Sequence, residues 1–352
     1  MDKVLVAMSG GVDSTVAAWL LKERGFLCTG ATMKLYSDER VANDAVHCVS
    51  DAVRSARDAA NQIGIPLRIF DFTCAFDKDV ITRFTGAYKN GSTPNPCVDC
   101  NKYIKFGRLL DATPESGSDY LATGHYSRIE RVNGRYLLMK GVDRSKDQSY
   151  VLYTLTQDKL AKVIFPLGGM TKSEVRGIAL ELGVAIANSR DSQDICFLPR
   201  GNYSGFIESR SGEGLKPGNF VDADGVRLGT HRGIHRYTIG QRRGLGIASG
   251  EPLYVCAIDP EENTVVLGPR SGLFSKVLIA RDINLIPFDS IAAPMKVRAK
   301  IRYGQTEQPA TVRQLDDDTI RVEFDEAQRA VTRGQSVVLY DGDIVVGGGT
   351  IC

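Results

Sequence analysis

The 352-residue sequence lacks long apolar runs, and no stretch approaches the roughly 20 apolar residues that a membrane-spanning helix needs. Its first apolar run is too short for a signal-peptide core and is broken by Gly10, Gly11 and Asp13. It also lacks an excess of charge of one sign, since 44 Lys and Arg face 42 Asp and Glu. We therefore expect a cytoplasmic protein without a membrane partner, and we exclude a wholly basic, histone-like nucleic-acid binder.

Cysteine is also scarce, because eight cysteines in 352 residues are far fewer than a disulfide-bonded scaffold carries. Only Cys97 and Cys100 lie close together in the sequence. In a reducing compartment such a pair is typical of reactive thiols or metal ligands. The cysteines without a partner pattern are predicted to be mostly buried small hydrophobic residues; they are Cys28, Cys48, Cys74, Cys256 and Cys352.

The first half of the chain alternates apolar runs typical of strands with helical segments. Strands are predicted at 4–7, 26–33, 66–72 and 120–123, and helices at 13–24, 42–63, 76–88 and 102–110. Asn133-Gly134 predicts a hairpin, and Thr171 with Glu174 predicts a capping box. The alternation indicates an α/β fold with a parallel sheet, and such sheets bind ligands at the carboxyl ends of their strands.

After about residue 200 glycines and turn pairs become frequent, and helical periodicity nearly disappears. This change in composition and periodicity indicates short strands in small β-rich modules. We therefore predict three domains: an α/β domain at 1–200, a small central β-rich domain at 201–275, and a C-terminal β-barrel at 276–352.

The most informative motif is Ser-Gly-Gly-Val-Asp-Ser at positions 9–14, between a strand and a helix. Its two glycines let backbone N–H groups turn inward, and the helix start adds further donors. These groups predict a pocket for a phosphate or pyrophosphate. The motif is neither a Walker loop nor a dinucleotide fingerprint. The alternative is a tight turn with ordinary helix capping.

The loop resembles the pyrophosphate loop of the N-type ATP pyrophosphatases, which split ATP into AMP and pyrophosphate. Within that superfamily, four segments resemble the tRNA-specific 2-thiouridylases, in the expected order along nearly the full chain. They are residues 93–107 (TPNPCVDCNKYIKFG), 122–126 (ATGHY), 146–150 (KDQSY) and 191–197 (DSQDICF).

This resemblance implies ATP-dependent 2-thiolation of the wobble uridine of tRNA, with ATP and Mg²⁺ as cofactors. Adenylation turns the poor leaving group at uracil C2 into AMP, which sulfur can then displace. By resemblance, Cys196 carries the persulfide and Cys100 is the partner nucleophile that resolves it as a disulfide. We expect the helix dipole to lower the pKa of Cys100 if it lies near its helix start. The sulfur would come from a cysteine desulfurase or a sulfur-relay protein.

One departure from the family concerns Cys97, where many members have an aspartate proposed as a general acid or base. Asp99, two residues further on, is the remaining candidate for that role. The change creates Cys97-x-x-Cys100, which together with Cys196 offers three ligands for a [4Fe–4S] cluster. We favour the persulfide–disulfide route over this cluster; a structural zinc site lacks a clear fourth ligand.

The resemblance also implies binding residues. For the nucleotide they are Ala7, Met8, Ser9, Gly10, Gly11, Val12, Asp13, Ser14, Met33 and Gly124. For RNA they are His125, Lys146, Asp147, Gln148, Arg302, Tyr303 and Gln335.

Two basic stretches add to the predicted RNA contacts. The segment from Gly225 to Gly250 has no acidic residue, and we predict a phosphate-binding surface from Arg227, Arg232, Arg236, Arg242 and Arg243, with His231, His235 and Tyr237. Strict alternation from residue 296 to 303 predicts a strand with four cations on one face: Lys296, Arg298, Lys300 and Arg302.

Two other classes of function stay open at this point. One is an adenylating amidotransferase or ligase that acts on a small molecule through an amine, for which Cys100 and Cys196 would be dispensable. The other is an RNA-binding or sulfur-carrier protein whose nucleotide loop is vestigial.

Overall fold

The structure is a computed structural model that describes residues 1–36, 46–183, 195–198, 202–211 and 215–352. Within these residues no helix is both long enough and apolar enough to cross a membrane. The strands in chain order are β1 Lys3–Ala7, β2 Leu27–Lys34, β3 Leu67–Asp71, β4 Tyr120–Ala122, β5 Ser127–Val132, β6 Arg135–Lys140, β7 Val163–Ile164, β8 Gly218–Val221, β9 Arg227–His231, β10 Tyr254–Asp259, β11 Thr264–Gly268, β12 Phe274–Leu285, β13 Met295–Lys300, β14 Gln308–Asp316, β15 Thr319–Arg329, β16 Ser336–Asp341 and β17 Ile344–Ile351.

The α-helices are α1 Val12–Glu23, α2 Val46–Ile63, α3 Thr73–Phe76, α4 Arg83–Lys89, α5 Pro96–Asp99, α6 Gln157–Leu160, α7 Lys172–Glu181 and α8 Tyr203–Ser211. Two π-helical stretches, Asp77–Thr82 and Cys100–Leu109, continue α3 and α5. Short 3₁₀ turns occur at Pro114–Ser116, Ser149–Leu152, Ile234–Arg236 and Arg270–Leu273.

The chain divides into two compact units. Unit 1 consists of Met1–Val80, Cys97–Arg200 and Gly342–Val346, and unit 2 of Ile81–Pro96, Gly201–Asp341 and Gly347–Cys352. This division does not test the predicted three-domain boundaries, which stay a prediction.

Unit 1 is built on the predicted parallel sheet, whose strand order is β3-β2-β1-β4-β7. The apolar strand residues Val4 and Val6 pack with Ala56 and Ala60 of α2, and Val16 of α1 packs with Val175 of α7. Burial of these apolar faces holds α1 and α2 against the sheet. Strands β1, β2 and β4 run parallel to one another. The carboxyl ends of β1, β2 and β4 therefore lie along one edge.

Two local predictions for unit 1 are confirmed. Asn133 and Gly134 have φ values of 49° and 82° and join β5 to β6, as a two-residue hairpin turn requires. Thr171 Oγ1 accepts from the Glu174 N–H and the Glu174 carboxylate accepts from the Thr171 N–H, which completes the capping box of α7.

Two predicted helices begin earlier than expected. The helix predicted over 76–88 begins at Thr73, and the one predicted over 102–110 begins at Pro96. A proline without an N–H is suited to the first helical turn, which explains the earlier start at Pro96. The helix predicted from residue 42 is described from Val46 on, and residues 42–45 lie outside the described part.

Unit 2 contains the β-rich modules. β10-β11-β8-β9 form a sheet around the apolar cluster of Phe220, Tyr237, Val255 and Val265. The C-terminal strands follow the order β12-β15-β14-β13-β16-β17, and pairing of β12 with β17 closes them into the predicted barrel.

Candidate nucleotide and thiol site

The loop at residues 9–14 connects β1 to α1 and depends on glycine. Gly10 has φ +78°, a conformation that L side chains rarely adopt, and a Cβ there would lie 2.5 Å from Ser55 Cβ and 2.7 Å from Ala56 N. Helix α2 therefore packs directly against the backbone of the loop. Any larger residue at position 10 would force the loop and α2 apart.

Two serine hydroxyls hold the curvature of the loop. Ser14 Oγ accepts from the Ser9 N–H at 3.2 Å and donates to the Gly11 carbonyl at 3.0 Å. Ser9 Oγ accepts from the Gly11 N–H at 3.4 Å. No side chain caps the start of α1, so the first-turn N–H groups of this helix remain available to an anion.

Three strand ends bring the predicted nucleotide residues to this loop. Ala7 ends β1 and Met8 follows it, and Met33 lies near the end of β2. Gly124 comes shortly after β4 and lies against the loop. A Cβ at this position would be only 3.0 Å from both Asp13 C and Ser14 N. The parallel register thus gathers the predicted set, Ala7 to Ser14 with Met33 and Gly124, at one edge of the sheet.

The Asp13 side chain turns towards α7. Lys172 Nζ donates to Asp13 Oδ1 at 2.7 Å and to Oδ2 at 2.8 Å, and the Tyr126 hydroxyl donates to Oδ1 at 2.7 Å. This ion pair could not be predicted from the sequence, because 159 residues separate the two charged partners.

The three cysteines singled out in the sequence come together in unit 1. Cys97 and Cys100 lie on the helix that begins at Pro96, and Cys196 lies in the segment 195–198. That segment is anchored by buried Phe197, whose ring meets Phe76 at 5.7 Å between centroids. Burial, then Cys100 and Cys97, raises the pKa of Cys196 to about 12, which indicates that its sulfur lies within electrostatic reach of both helical thiols. The side chains of Cys97 and Cys196 are nevertheless exposed at the surface, and that of Cys100 is half-buried.

Burial also dominates the acidity of the two helical thiols. It raises the pKa of Cys100 to about 11, and it raises the pKa of Cys97 as well. The expectation that the helix dipole lowers the Cys100 pKa is therefore wrong. Desolvation by the surrounding protein disfavours the thiolate, and neighbouring Cys97 and half-buried Asp99 disfavour it further.

A cation faces these thiols, and sequence reasoning assigned it no role. The half-buried Lys105 lowers the pKa of Cys97, Cys100 and Cys196, in opposition to burial. In an α-helix residues five apart lie about 140° apart around the axis. The π-helix closes its hydrogen bonds between residues five apart, so Cys100 and Lys105 lie on nearly the same face.

The iron–sulfur alternative receives no support from this arrangement. Within the described residues, which include Cys97, Cys100 and Cys196, no group of three or more His, Cys, Asp or Glu side chains is placed to hold a metal ion. None of these three cysteines is paired in a disulfide in the structure. The residues therefore fit neither a [4Fe–4S] cluster nor a structural zinc ion.

The prediction that most other cysteines are buried is only partly correct. Cys28 is buried and Cys256 is half-buried, whereas Cys74 and Cys352 are exposed. The side chain of Cys48 lies outside the described part. Cys74 and Cys352 show that a lone cysteine in a sequence does not by itself indicate the core.

His125 connects the loop to the thiol helix. It follows Gly124, its Nδ1 lies 2.6 Å from Thr123 Oγ1, and its ring meets Phe106 of the thiol helix at 5.8 Å. Burial and then Lys105 hold its pKa well below the usual value, so its imidazole is neutral at pH 7. The side chain is 7% exposed.

Two of the three predicted RNA-binding residues at 146–148 make hydrogen bonds within the protein. The buried Asp147 carboxylate accepts from the Gly141 N–H at 3.0 Å and from Ser149 Oγ at 2.9 Å. The Gln148 side-chain oxygen accepts from the Tyr126 N–H at 3.0 Å. Lys146 is half-exposed and is the member of the three best placed to meet an anion.

The predicted basic surface in the central module is smaller than expected. His231, His235 and Tyr237 are buried, and their rings lie in the core, where Phe220 packs at 5.4 Å from His231 and 5.1 Å from Tyr237. His235 Nε2 also lies 2.8 Å from Glu208 Oε1.

Part of the predicted basic surface is present, because most of the arginines of this stretch are exposed. Arg236 is half-buried and pairs with Glu208, whereas Arg232, Arg242 and Arg243 are exposed. Arg232 and Arg236 line an open recess of about 890 Å³ together with Tyr203, Thr230 and Gln241. A basic recess of this kind suits a phosphate group.

Strand β13 keeps the predicted alternation but ends at Lys300. Val297 and Ala299 are buried, whereas Lys296 and Arg298 are exposed and lie 3.8 Å from Asp325 and Glu307.

The residues beyond β13 are accessible to different degrees. Arg302 and Tyr303 follow the strand and are exposed, and Arg302 donates to the Arg329 carbonyl at 2.7 Å. Gln335 is half-buried and donates to the Thr93 carbonyl at 2.7 Å.

Three family models together match most of the chain. A family model described as tRNA methyl transferase HUP domain matches residues 2–200, one described as tRNA methyl transferase PRC-barrel domain matches 204–269, and one described as aminomethyltransferase beta-barrel domain matches 275–351. These matches agree with the parallel sheet and the closed barrel.

Curated relatives align over almost their full length. The tRNA-specific 2-thiouridylase MnmA 2 of Clostridium tetani is 50% identical over 351 residues, which cover 99% of this chain and 98% of the relative. MnmA of Clostridioides difficile is 50% identical over 352 residues, with coverage of 99% and 98%. MnmA of Clostridium acetobutylicum is 49% identical over 351 residues, with coverage of 99% for both chains.

Proposed function

The chain belongs to the tRNA-specific 2-thiouridylase family, and from this premise we propose that it forms 2-thiouridine in tRNA at the expense of ATP. The target is the wobble uridine. The observation that carries the proposal is the pair Gly124 and His125, since Gly124 packs on the phosphate loop and His125 packs on the thiol helix. One edge of unit 1 thus offers both an anion site and sulfur nucleophiles.

The first step is activation of the base. ATP binds with its phosphates on the loop from Ser9 to Ser14 and its adenine towards Met33. The uracil oxygen O2 attacks the α-phosphorus, the bond from that phosphorus to the bridging oxygen breaks, and pyrophosphate leaves. The amide donors at the start of α1 stabilise the charge of the phosphates. The target base must be flipped out of the RNA to reach this site.

Magnesium enters with the nucleotide. Mg²⁺ prefers oxygen ligands and is commonly held by one or two carboxylates together with substrate phosphates. The described residues contain no group of three or more His, Cys, Asp or Glu side chains that could hold a metal ion, and Asp13 already pairs with Lys172. We therefore assign Mg²⁺ to the ATP phosphates, where it neutralises their charge.

The second step transfers sulfur. The terminal sulfur of a Cys196 persulfide attacks uracil C2, and the bond from C2 to the adenylated oxygen breaks to release AMP. The Cys100 thiolate then attacks the Cys196 sulfur, so that a Cys100–Cys196 disulfide forms and the thiolated base leaves with the electron pair. A dithiol reductant must reopen this disulfide before the next cycle.

The acidity of the thiols supports this order of events. A Cys100 thiol with a pKa of about 11 is almost fully protonated at neutral pH and does not attack prematurely. Lys105 favours the thiolate of all three cysteines, so we assign it the stabilisation of negative sulfur at this site. Asp99, near Cys100, is the candidate that exchanges protons with these groups; Cys97 is a thiol of the same cluster without an assigned step.

The RNA contacts are assigned to groups in both units. In unit 1, His125 contacts the base as a neutral imidazole, and Lys146 approaches phosphates while Asp147 and Gln148 shape its loop. In unit 2 the exposed contacts are Arg232, Arg242, Arg243, Arg302 and Tyr303, with Arg236 in the recess and Gln335 beside Thr93. We retain the division into a catalytic domain at 1–200, a central RNA-binding domain at 201–275 and an RNA-binding barrel at 276–352.

The sulfur donor and the compartment complete the proposal. A cysteine desulfurase, or a sulfur-relay protein between it and this chain, passes a persulfide sulfur to Cys196. We assign the reaction to the cytoplasm, where the substrate tRNA is available.

The test is the nucleoside content of tRNA from a strain that lacks this gene. Mass spectrometry should find the wobble 2-thiouridine lost, and the wild-type gene should restore it. Unchanged 2-thiouridine with a missing methylated nucleoside would favour the methyl transfer that the family models' descriptions name. The phosphate loop argues against that outcome, because methyl transfer requires no splitting of ATP.

A further inference from the structure

Cys97 is the thiol of the cluster for which the proposed reaction has no step. Each turnover leaves Cys100 and Cys196 joined in a disulfide, so Cys196 cannot accept another persulfide sulfur until that bond is broken. Cys97 lies three residues before Cys100, at the start of the same helix. A third thiol at this place can change how the disulfide is resolved.

The helix places Cys97 and Cys100 at a spacing that suits a disulfide. Residues three apart in an α-helix lie about 60° apart around the axis, so their Cα atoms are about 5 Å from each other. Disulfides join residues whose Cα atoms are about 4.4 to 6.8 Å apart. The backbone between the two cysteines is helical, since Asp99 has φ −61° and ψ −43°. Cys97 also lies in the first turn, where N–H groups have no intrahelical partner and a small adjustment of the backbone costs little.

Cys97 is also within electrostatic reach of both other thiols. Burial is the largest cause of the raised pKa values of Cys100 and Cys196, and Cys97 raises both further. Lys105 opposes burial and lowers the pKa of all three thiols. It therefore stabilises whichever of these sulfurs carries the negative charge during an exchange.

The three thiols differ in how easily another molecule reaches them. Cys97 and Cys196 are exposed, whereas Cys100 is half-buried. In a Cys100–Cys196 disulfide the exposed sulfur is that of Cys196, so a reductant that attacks there becomes attached to the thiol that must stay open for the persulfide. In a Cys97–Cys100 disulfide the exposed sulfur is that of Cys97, and Cys196 takes no part in the reduction.

We propose that Cys97 is a second resolving thiol, which frees Cys196 for the next persulfide. The Cys97 thiolate attacks Cys100 Sγ, and the Cys97–Cys100 bond forms as the Cys100–Cys196 bond breaks. Cys196 leaves as a thiolate and takes up the proton that Cys97 lost. This exchange consumes no oxidant or reductant; a dithiol later reduces the Cys97–Cys100 disulfide and is itself oxidised to a disulfide.

The proposal rests on the proposed function, because sulfur transfer to tRNA is what produces the Cys100–Cys196 disulfide. The competing explanation is that Cys97 only fills the first turn of its helix. The two explanations differ in which cysteines are linked after one turnover.

The experiment maps the disulfide that one turnover leaves in the full chain. The wild type is loaded with persulfide by a cysteine desulfurase, freed of excess cysteine and given ATP, Mg²⁺ and unmodified tRNA without a reductant. After an acid quench, free thiols are alkylated with N-ethylmaleimide and the unreduced protein is digested with trypsin. Residues 90–102 form one tryptic peptide with Cys97 and Cys100, and residues 191–200 form another with Cys196.

Mass spectrometry distinguishes a disulfide inside the first peptide from a link between the two peptides. The Cys97–Cys100 disulfide should exceed the Cys100–Cys196 disulfide by at least about fivefold, because Cys97 reacts within the same helix. Most Cys196 should carry the alkyl group.

Cys97→Ser tests the same step by repeated turnover. This variant should accumulate the Cys100–Cys196 disulfide and form 2-thiouridine about tenfold more slowly at limiting dithiothreitol. The deficit should shrink as dithiothreitol is raised, because a concentrated small dithiol replaces the internal exchange. Cys74→Ser is the matched control, since Cys74 is another exposed thiol of unit 1 and is not among the causes of the Cys100 and Cys196 shifts. Its turnover should equal that of the wild type.

The wild-type map decides the question even if Cys97→Ser fails to fold. Formation of 2-thiouridine with the Cys100–Cys196 disulfide retained and Cys97 alkylated would overturn the proposal and leave the proposed function standing. A Cys97–Cys196 disulfide would overturn it as well, because Cys97 would then have attacked Cys196 and kept it blocked. A wild-type protein that forms no 2-thiouridine would instead contradict the proposed function itself.

Discussion

The phosphate loop is held in shape by its own hydrogen bonds, whereas the thiols of the same unit are kept protonated by their surroundings. Ser9 and Ser14 bond within the loop, and its helix start has no side-chain cap. By contrast, Cys100 and Cys196 have pKa values of about 11 and 12. The difference teaches that the loop is already shaped for an anion, while the proposed sulfur transfer starts from thiols that are protonated at neutral pH.

The largest expected effect separates the two regions completely. Cys196→Ser and Cys100→Ser should each lower tRNA thiolation by more than about a hundredfold, because each removes a sulfur that the transfer step needs. ATP binding should stay within about twofold of the wild type. Mass spectrometry of tRNA nucleosides and equilibrium dialysis with ATP measure the two quantities.

Cys256→Ser is the control, because Cys256 lies in unit 2 and outside the thiol cluster. Its thiolation should be normal. Normal thiolation in both Cys196→Ser and Cys100→Ser would point instead to an adenylating enzyme that uses an amine.

The second prediction concerns a substitution that distorts the phosphate loop and leaves the thiols unchanged. Gly10→Ala should weaken ATP binding by at least about tenfold, because its Cβ meets the α2 backbone at a positive φ. Alkylation of Cys100 by iodoacetamide should change little.

Gly177→Ala in α7 is the matched glycine control. A Cβ there meets nothing within 4 Å, so this variant should be as stable as the wild type or more stable. Equal ATP binding by Gly10→Ala and Gly177→Ala would contradict the packing account.

The third prediction concerns pH and applies only to the thiols. Iodoacetamide alkylation of Cys100 should rise about tenfold per pH unit from pH 7.5 to 9.5 without a plateau, since its pKa is about 11. The pKa of Cys100 is higher in the folded than in the unfolded state. The free energy of unfolding should therefore fall as pH rises above about 9, where the unfolded state loses its thiol proton first. An alkylation rate that is half-maximal near pH 8.5 and levels off above about pH 9.5, as in a free cysteine peptide, would show that burial does not control Cys100.

The smallest expected effect follows from removing one positive charge, that of Lys105, from the thiol site. Lys105→Met should raise the pKa of the three thiols and of His125, since Lys105 lowers all four. We expect a several-fold slower alkylation of Cys100 at pH 8, on the order of three- to tenfold.

Lys102→Met is the control for Lys105, because the Lys102 ammonium lies 5.3 Å from the Tyr103 ring and is not among the causes of these shifts. Proton NMR of the His125 ring gives an independent readout, since the protein has four histidines. Identical behaviour of Lys102→Met and Lys105→Met would remove Lys105 from the site.

The contrast between loop and thiols also marks what the sequence could predict. The phosphate loop, the Asn133-Gly134 hairpin and the Thr171–Glu174 capping box follow from local residue chemistry, and the structure contains all three. Lys105 escaped prediction because a spacing of five residues places it far from Cys100 in an ordinary α-helix. Only the π-helix brings the two together.

Long-range effects explain the remaining errors. Helix position predicted a lowered pKa for Cys100, but desolvation by distant parts of the chain outweighs it. The sequence predicts His231 and His235 on a basic surface, whereas both are buried, His231 against the Phe220 ring and His235 beside Glu208. The Lys172–Asp13 pair likewise depends on two helices that meet only in the folded chain.

The central claim is tested most directly by one turnover of purified protein loaded with a Cys196 persulfide, given ATP, Mg²⁺ and unmodified tRNA. The account predicts one 2-thiouridine, one AMP and one pyrophosphate per persulfide consumed, and no product without ATP. Formation of 2-thiouridine without pyrophosphate release, or pyrophosphate release without 2-thiouridine, would contradict it.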